Sequence, residues 1–384
     1  MRASTTMRRT AWILPLLVAT PLAAQVRLAG RDLDMVVQRG RQLVLQHGCG
    51  DCHARVTDPR HAEWMAGTTD TTGNRIGPFI LLPRNLTPDR ETGAGRWTDR
   101  QLFNAVRYGL KPGANPDVEV TSPVPGQGNH PASPRYLSVG MPWMSFRHMP
   151  DEDLQAIIAY LRHGVKPVRK AIPENPAPPD FWASEYTEAK IGPFPVAAYP
   201  TVNETGAGDA EVVRGRDLVV MHACGECHGG SGNPASPHWL QGSKSEQPPG
   251  TFAIGPFKTR PRNLTPDNVT GLGRFSERQL FNALRHGLRP GETPDVEITS
   301  RTPGQGNYPL HPKYLAPPMP WPAFRHMPDD ELRAVAAYLK RGLKPVRNRV
   351  ADSEGPPDFW ASEYAKYHDR YPAAPFPAGG ERKP

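Results

Sequence analysis

The chain has 384 residues, of which 38% are hydrophobic, and carries 46 prolines, 36 glycines and four cysteines. That apolar share is low for a length of two or three domains, so the composition argues against a helical bundle or broad sheet and for a loop-rich fold completed by a bound group. The formal charge of +8 falls to +5 without residues 1–24, which hold three arginines and no acids; no nucleic-acid signature is present, and the balance supports at most a salt-sensitive attraction to an acidic partner.

Arg2, Arg8 and Arg9, the apolar run Ala11 to Ala19 and the small residues Ala23 and Ala24 have the layout of a secretory signal peptide, cleaved after Ala24 although Leu22 is large for its position. A retained anchor is the weaker reading, because the run is short of the ~20 apolar residues that span a bilayer. Thr10-Ala11-Trp12 after the arginine pair lacks twin-arginine character. No later segment approaches a membrane span, so the mature chain is expected in the periplasm without a transmembrane helix.

A helix is expected from about Asp34, as N-cap, to His47, with Val36, Gly40, Leu43 and Val44 on one face. Its mid-helix glycine is costly unless another helix crosses closely. Cys49-Gly50-Asp51-Cys52-His53 follows and reappears as Cys224-Gly225-Glu226-Cys227-His228, using all four cysteines. C-x-x-C-H reads as a c-type haem attachment site: two thiols add to two vinyl groups on one porphyrin edge, and the adjacent histidine is held beneath the ring to ligate iron. Zinc binding by the four cysteines and reactive C-x-x-C pairs are the weaker readings, given the export signal, the histidine after each pair and the distance between pairs.

Everything after the signal is an internal duplication. Arg39-Gly40-Arg41 matches Arg214-Gly215-Arg216 at an offset of 175, and Asn85-Leu86-Thr87-Pro88-Asp89 matches Asn263-Leu264-Thr265-Pro266-Asp267 at 178. The match runs on to Pro179-Asp180-Phe181-Trp182 and Pro357-Asp358-Phe359-Trp360, which places two domains at 25–200 and 201–384. The first helix's counterpart begins near Asp209, with Val212, Gly215, Leu218 and Val219. Second helices start at Thr98 and Ser276, with Gln101 and Gln279 completing capping boxes, and end at Gly109 and Gly287. The third helix opens on Asp151, Glu152 and Asp153 and closes on Arg162, His163 and Gly164. Leu154, Ile157, Ile158 and Leu161 form its buried stripe, mirrored by Leu332, Val335, Ala336 and Leu339, and Tyr160 and Tyr338 are the candidates to pack on the crossing glycines. No alternation is strong enough to propose a sheet. The Pro/Gly-rich stretches 111–140 and 289–318 exceed ordinary connectors and are expected as surface loops covering part of the haem, with partner docking as the alternative.

The second axial ligand separates electron transfer from catalysis. Met141 in Gly-Met-Pro-Trp and Met319 in Pro-Met-Pro-Trp precede the third helices and are the preferred distal ligands. Met149 and Met327 compete, but stand where a hydrophobic staple is the commoner role; Met144 has Pro322 opposite it. His148 and His326 are alternatives that would give bis-histidine haems. His47 and His222 lie too near the first cysteines to reach the far haem face and read as helix-end or surface residues.

Together these motifs resemble class I c-type cytochrome domains, and most of all the multi-haem cytochromes that serve as electron-transfer subunits of periplasmic dehydrogenases. The resemblance implies a mainly α fold of two tandem cytochrome c-like domains with long Pro/Gly-rich loops. It implies two covalently attached haem c groups, on Cys49 and Cys52 and on Cys224 and Cys227, with His53 and His228 proximal and Met141 and Met319 distal. The carbonyl of Pro78 or Pro256 would receive the proximal histidine's hydrogen bond, and Arg84 and Arg262 would meet haem propionates. A one-electron carrier is expected, not an enzyme, working between a dehydrogenase donor and a cytochrome or oxidase acceptor, with peripheral association to a membrane complex. A di-haem peroxidase is the rival, requiring one displaceable methionine; a cysteine-ligated thiosulfate dehydrogenase has no spare cysteine. The dehydrogenase cytochromes commonly carry a third haem domain or a membrane anchor, and the loops from Lys111 and Arg289 are longer than usual, which leaves the partner open.

Overall fold

The computed structural model describes residues 30–71, 75–76, 79–174, 182–246, 250–352, 361–362, 364 and 371–384. The expected signal 1–24, Pro78, Pro179-Asp180-Phe181 and Pro357-Asp358-Phe359-Trp360 lie outside these residues. The protein is mainly helical: α1 (Gly30–Gln46), α2 (Cys49–His53), α3 (Asp99–Tyr108), α4 (Trp143–Phe146), α5 (Asp151–Ala159) and α6 (Glu188–Ile191) are followed by α7 (Ala210–Met221), α8 (Cys224–His228), α9 (Glu277–His286), α10 (Trp321–Phe324) and α11 (Asp329–Arg341). A π turn, Tyr160–Gly164, continues α5. Two small antiparallel hairpins were not expected: β1 (Arg75–Ile76) with β2 (Phe79–Ile80), and β3 (Phe252–Ile254) with β4 (Phe257–Thr259). Strands of two or three residues are too short to display a period of two.

Helix α1 begins before Asp34, which lies inside it and not at its N-cap. Asp32 supplies the first-turn acid and Leu33 packs on the core, so the extra turn is favoured. Asp209 does cap α7, accepting from the Glu211 and Val212 amides, and both capping boxes form, Thr98 with Gln101 and Ser276 with Gln279. The helix glycines sit at crossings. A Cβ on Gly40 would lie 1.9 Å from the Ala156 carbonyl oxygen of α5 and 2.8 Å from Tyr160 Cβ; on Gly215 it would lie 1.9 Å from the Ala334 oxygen of α11 and 2.8 Å from Tyr338 Cβ. Arg39 braces the first crossing through two 2.9 Å bonds to Asp153, and Arg214 the second through a 2.8 Å bond to Glu331.

One apolar cluster runs through both halves, joining Val37, Leu43, Leu154 and Tyr160 to Val212, Leu218, Leu332 and Tyr338. His47 and His222 meet at the junction, stacked at 4.1 Å with an 18° interplanar angle and capped edge-on by Phe146 and Phe324. They are therefore not surface residues, because the opposing half covers the helix ends they stand on.

Candidate haem sites

Each C-x-x-C-H segment is one short helix launched from a left-handed residue, Gly48 before α2 and Ala223 before α8. The glycine after the first cysteine is needed for packing: a Cβ on Gly50 or Gly225 would meet the ring of Trp64 or Trp239 at 2.2 Å. These fully buried indoles form a floor under each motif. All four cysteines are free thiols. Burial pushes Cys49 and Cys224 up to about 12 and Cys227 to about 11, the reverse of the depressed pKa that a redox-reactive C-x-x-C pair needs.

The Nδ1 of His53 lies 2.8 Å from the Arg84 carbonyl oxygen, and that of His228 lies 2.7 Å from the Arg262 carbonyl oxygen. Burial lowers the pKa of both rings and keeps the imidazoles neutral. A neutral ring donating from Nδ1 must present its lone pair at Nε2, the atom a metal takes. The expected carbonyl acceptor, Pro256, is thus replaced by Arg262, and His53 likewise uses Arg84. The Arg84 guanidinium bonds the Pro173 carbonyl and Glu174, and that of Arg262 the Ala351 carbonyl and Asp352. The two arginines thus serve the sites through their backbone, while their side chains have protein partners.

The Asn-Leu-Thr-Pro-Asp repeats hold those carbonyls in place. Asn85 donates to the Val168 carbonyl at 2.8 Å and accepts from the Thr87 hydroxyl at 2.8 Å; Asn263, Val346 and Thr265 repeat this. Gly67 and Gly242, at φ +75° and +78°, bring the chain after each motif against this segment, where a Cβ would lie 2.8 Å from the arginine carbonyl carbon. Their amides donate to the His53 and His228 carbonyls at 2.6 and 2.7 Å. Sequence reasoning missed these roles, although Asn85, Thr87 and Trp64 all recur in the second half.

Met141 and Met319 lie on tight turns, Met141 N–H to Ser138 O at 2.9 Å and Met319 N–H to Ala316 O at 3.0 Å. Both are half-buried against the core that Cys49 and Cys224 also touch. Their turns are set by the following tryptophans. Trp143 packs on Gly109 and stacks with Tyr136 at 5.9 Å, and Trp321 packs on Gly287 and stacks with Tyr314 at 6.0 Å. The long loops thereby brace the methionine turns. Met149 and Met327 are instead packed away, 2% and 3% exposed. His148 is tilted against Phe194 and His326 against Tyr371; burial and neighbouring arginines hold both at about 3.

The acid inside each motif is half-buried near the junction between halves. Ser145 of α4 donates to Glu226 at 2.5 Å, and a Cβ added to Gly48 would lie 3.1 Å from Asp51 Oδ2 and 3.2 Å from Ala323 Cβ of α10. Burial raises both carboxyls to about 7. Among the described residues no three or more of His, Cys, Asp and Glu converge as a metal-ligand cluster. Each motif thus offers two thiols and one oriented imidazole, with a thioether on a loop in the same half. That donor set fits a covalently attached haem.

Over most of its length the chain is similar to cytochrome c subunits of dehydrogenases and to a diheme cytochrome c, a likeness that implies electron transfer and covalently bound haem. It is 27% identical over 331 residues, 83% of its length, to the gluconate 2-dehydrogenase cytochrome c subunit of Pantoea cypripedii, and 28% identical over 328 residues, 81% of its length, to the alcohol dehydrogenase (quinone) cytochrome c subunit of Gluconacetobacter polyoxogenes. It spans 62% and 56% of those two proteins. The diheme cytochrome c-type protein of Cereibacter sphaeroides is 25% identical over 79% of this chain and 84% of its own. No family model matches. Among the described residues no helix is long and apolar enough to cross a membrane.

Proposed function

We propose that the chain is a periplasmic di-haem c-type cytochrome of two cytochrome c-like domains, carrying single electrons from a dehydrogenase or quinol donor to a respiratory acceptor. The observation that carries this reading is the repeated histidine geometry: in both halves the C-x-x-C-H imidazole is fixed through Nδ1 by a backbone carbonyl. Cys49 and Cys52 would hold one haem c and Cys224 and Cys227 the other. His53 with Met141, and His228 with Met319, would supply the iron ligands. Bound haem supplies a reversible one-electron couple, and a methionine ligand raises its potential relative to two histidines. The Arg84 and Arg262 carbonyls orient the imidazoles and the buried Trp64 and Trp239 pack under the motifs; with a histidine and a methionine both engaged, no substrate would need to reach metal. Donor and acceptor are redox proteins, a dehydrogenase on one side and a cytochrome or oxidase on the other, docked at the membrane surface.

The equivalent setting of Met141 and Met319 favours two closed irons over one open peroxidatic centre. The purified mature protein is expected to retain two haems through acid–acetone extraction; extraction that strips them refutes the assignment. Rapid peroxide turnover by the reduced protein would favour the di-haem enzyme instead.

A further inference from the structure

Each half contains a buried hydrogen-bond chain that starts at the tryptophan packed on the C-x-x-C-H motif and ends on a glutamate. In the first half the Trp64 ring fills the space beside Gly50, and its N–H donates to the Tyr160 hydroxyl at 2.8 Å. Tyr160 donates to Glu381, whose side chain is fully buried and accepts from Arg41 Nε at 2.6 Å. Arg41 also reaches the Ala374 carbonyl and lies over the Phe376 ring. In the second half Trp239 donates to Tyr338 at 2.8 Å, Tyr338 to Glu204 at 2.5 Å, and Arg216 to Glu204 at 2.8 Å and to the Ala197 carbonyl at 2.5 Å.

The glutamates have different origins in the chain. Glu204 stands 12 positions before Arg216, in the segment leading into its own half. Glu381 stands 340 positions after Arg41, at the C-terminus. The C-terminal segment leaves the second half, crosses to the first and lies on the residues that follow His53. Gly379 and Gly380 pass so close that an added Cβ would meet the Arg60 and His61 carbonyl oxygens at 2.2 and 2.3 Å, and Trp64 Cβ at 2.5 Å. Gly380 N–H donates to Pro59 O at 2.9 Å, and Arg382 N–H to Gly164 O at 2.9 Å.

We propose that the C-terminal segment 374–382, through Glu381, is the positioning element of the first haem site, doing for Cys49–His53 what the local residue Glu204 does for Cys224–His228. This rests on the haem reading above. Glu381 touches neither thiol nor imidazole and acts through Tyr160 and Trp64. Without its carboxylate, Arg41 is left as a buried charge and Tyr160 loses its acceptor, so the strain falls on the indole under Gly50.

The test uses the full-length holoprotein and its Glu381→Gln, Glu381→Asp and Glu204→Gln variants. In a two-component potentiometric titration Glu381→Gln is expected to shift one midpoint and Glu204→Gln the other. Hydrogen exchange across residues 50–67 should rise about tenfold or more in Glu381→Gln, with residues 225–242 unchanged. Glu381→Asp, which keeps the charge, should restore part of both signals. Equal shifts of both midpoints, or exchange that rises equally in both halves, would make Glu381 merely structural and overturn the inference. So would haem on both motifs with neither midpoint nor exchange moved. A wild-type chain without covalent haem defeats the haem reading and this inference together.

Discussion

Gly40→Ala tests whether helix crossing, and not helix propensity, dictates the glycine in α1. In an exposed helix the change stabilises by about 1 kcal/mol. Here the new Cβ would lie 1.9 Å from the Ala156 carbonyl oxygen, while an ordinary carbon–oxygen contact begins near about 3.3 Å, so α1 and α5 must part by about 1.4 Å. The obstacle is helix backbone and cannot rotate away as a side chain would. Overpacking typically costs ~1–3 kcal/mol, and a backbone clash belongs at or above the top of that range. After the propensity gain, a net loss of about 2 kcal/mol is expected. For a cooperative unit of about half the chain this lowers Tm by roughly 4–8 °C. The assay is thermal unfolding followed at 222 nm, with Gly208→Ala as control, because nothing lies within 4 Å of a Cβ there; the control should stay within about 0.5 kcal/mol of wild type. A Gly40→Ala protein as stable as wild type, or more so, would refute the close crossing.

Three further outcomes are expected. Met141→Ala and Met319→Ala should each abolish one methionine-to-ferric-iron charge-transfer band, whereas Met149→Ala should leave both bands and cost about 2–5 kcal/mol in chemical denaturation. Arg84→Ala should leave the haem spectrum and midpoints unchanged and cost about 1–2 kcal/mol, since the exposed bonds to the Pro173 carbonyl and Glu174 are lost; Gly67→Ala, which presses on the Arg84 carbonyl, should shift one midpoint. Unfolded His222 takes a proton near about 6.5 but the folded residue only near 4, through burial. Stability therefore falls as pH drops from about 6.5 toward 4, by up to about 3 kcal/mol, and levels off below. Asp51 and Glu226, raised to about 7, contribute the opposite slope between about 4 and 7 in wild type and variant alike. Subtracting denaturation curves of wild type and His222→Gln should isolate the limb of the stacked His222–His47 pair, since His222 also lowers the His47 pKa, and coincident pH profiles would refute it.

Much of the helical framework was legible because its signals are local. Capping boxes at Thr98 and Ser276, acids at the start of α5 and α11, and glycines at 40 and 215 each announce themselves within one or two turns. The hairpins and the early start of α1 were not legible, the first for want of length and the second because Leu33 is held by packing and not by a cap. His47 and His222 misled because a histidine at a helix end normally faces water, and nothing local indicates that the other half covers it.

The sequence alone determined the composition of each candidate site, since C-x-x-C-H and its duplication are covalent facts of spacing: two thiols and an imidazole must share one short helix wherever it lies. Tertiary structure decided what holds those groups. The acceptor for each histidine is a peptide carbonyl, of Arg84 or Arg262, and a carbonyl belongs to every residue and so leaves no mark in the sequence. The glutamate that anchors Trp64 comes from the far end of the chain, because packing brings together residues that chain order keeps apart.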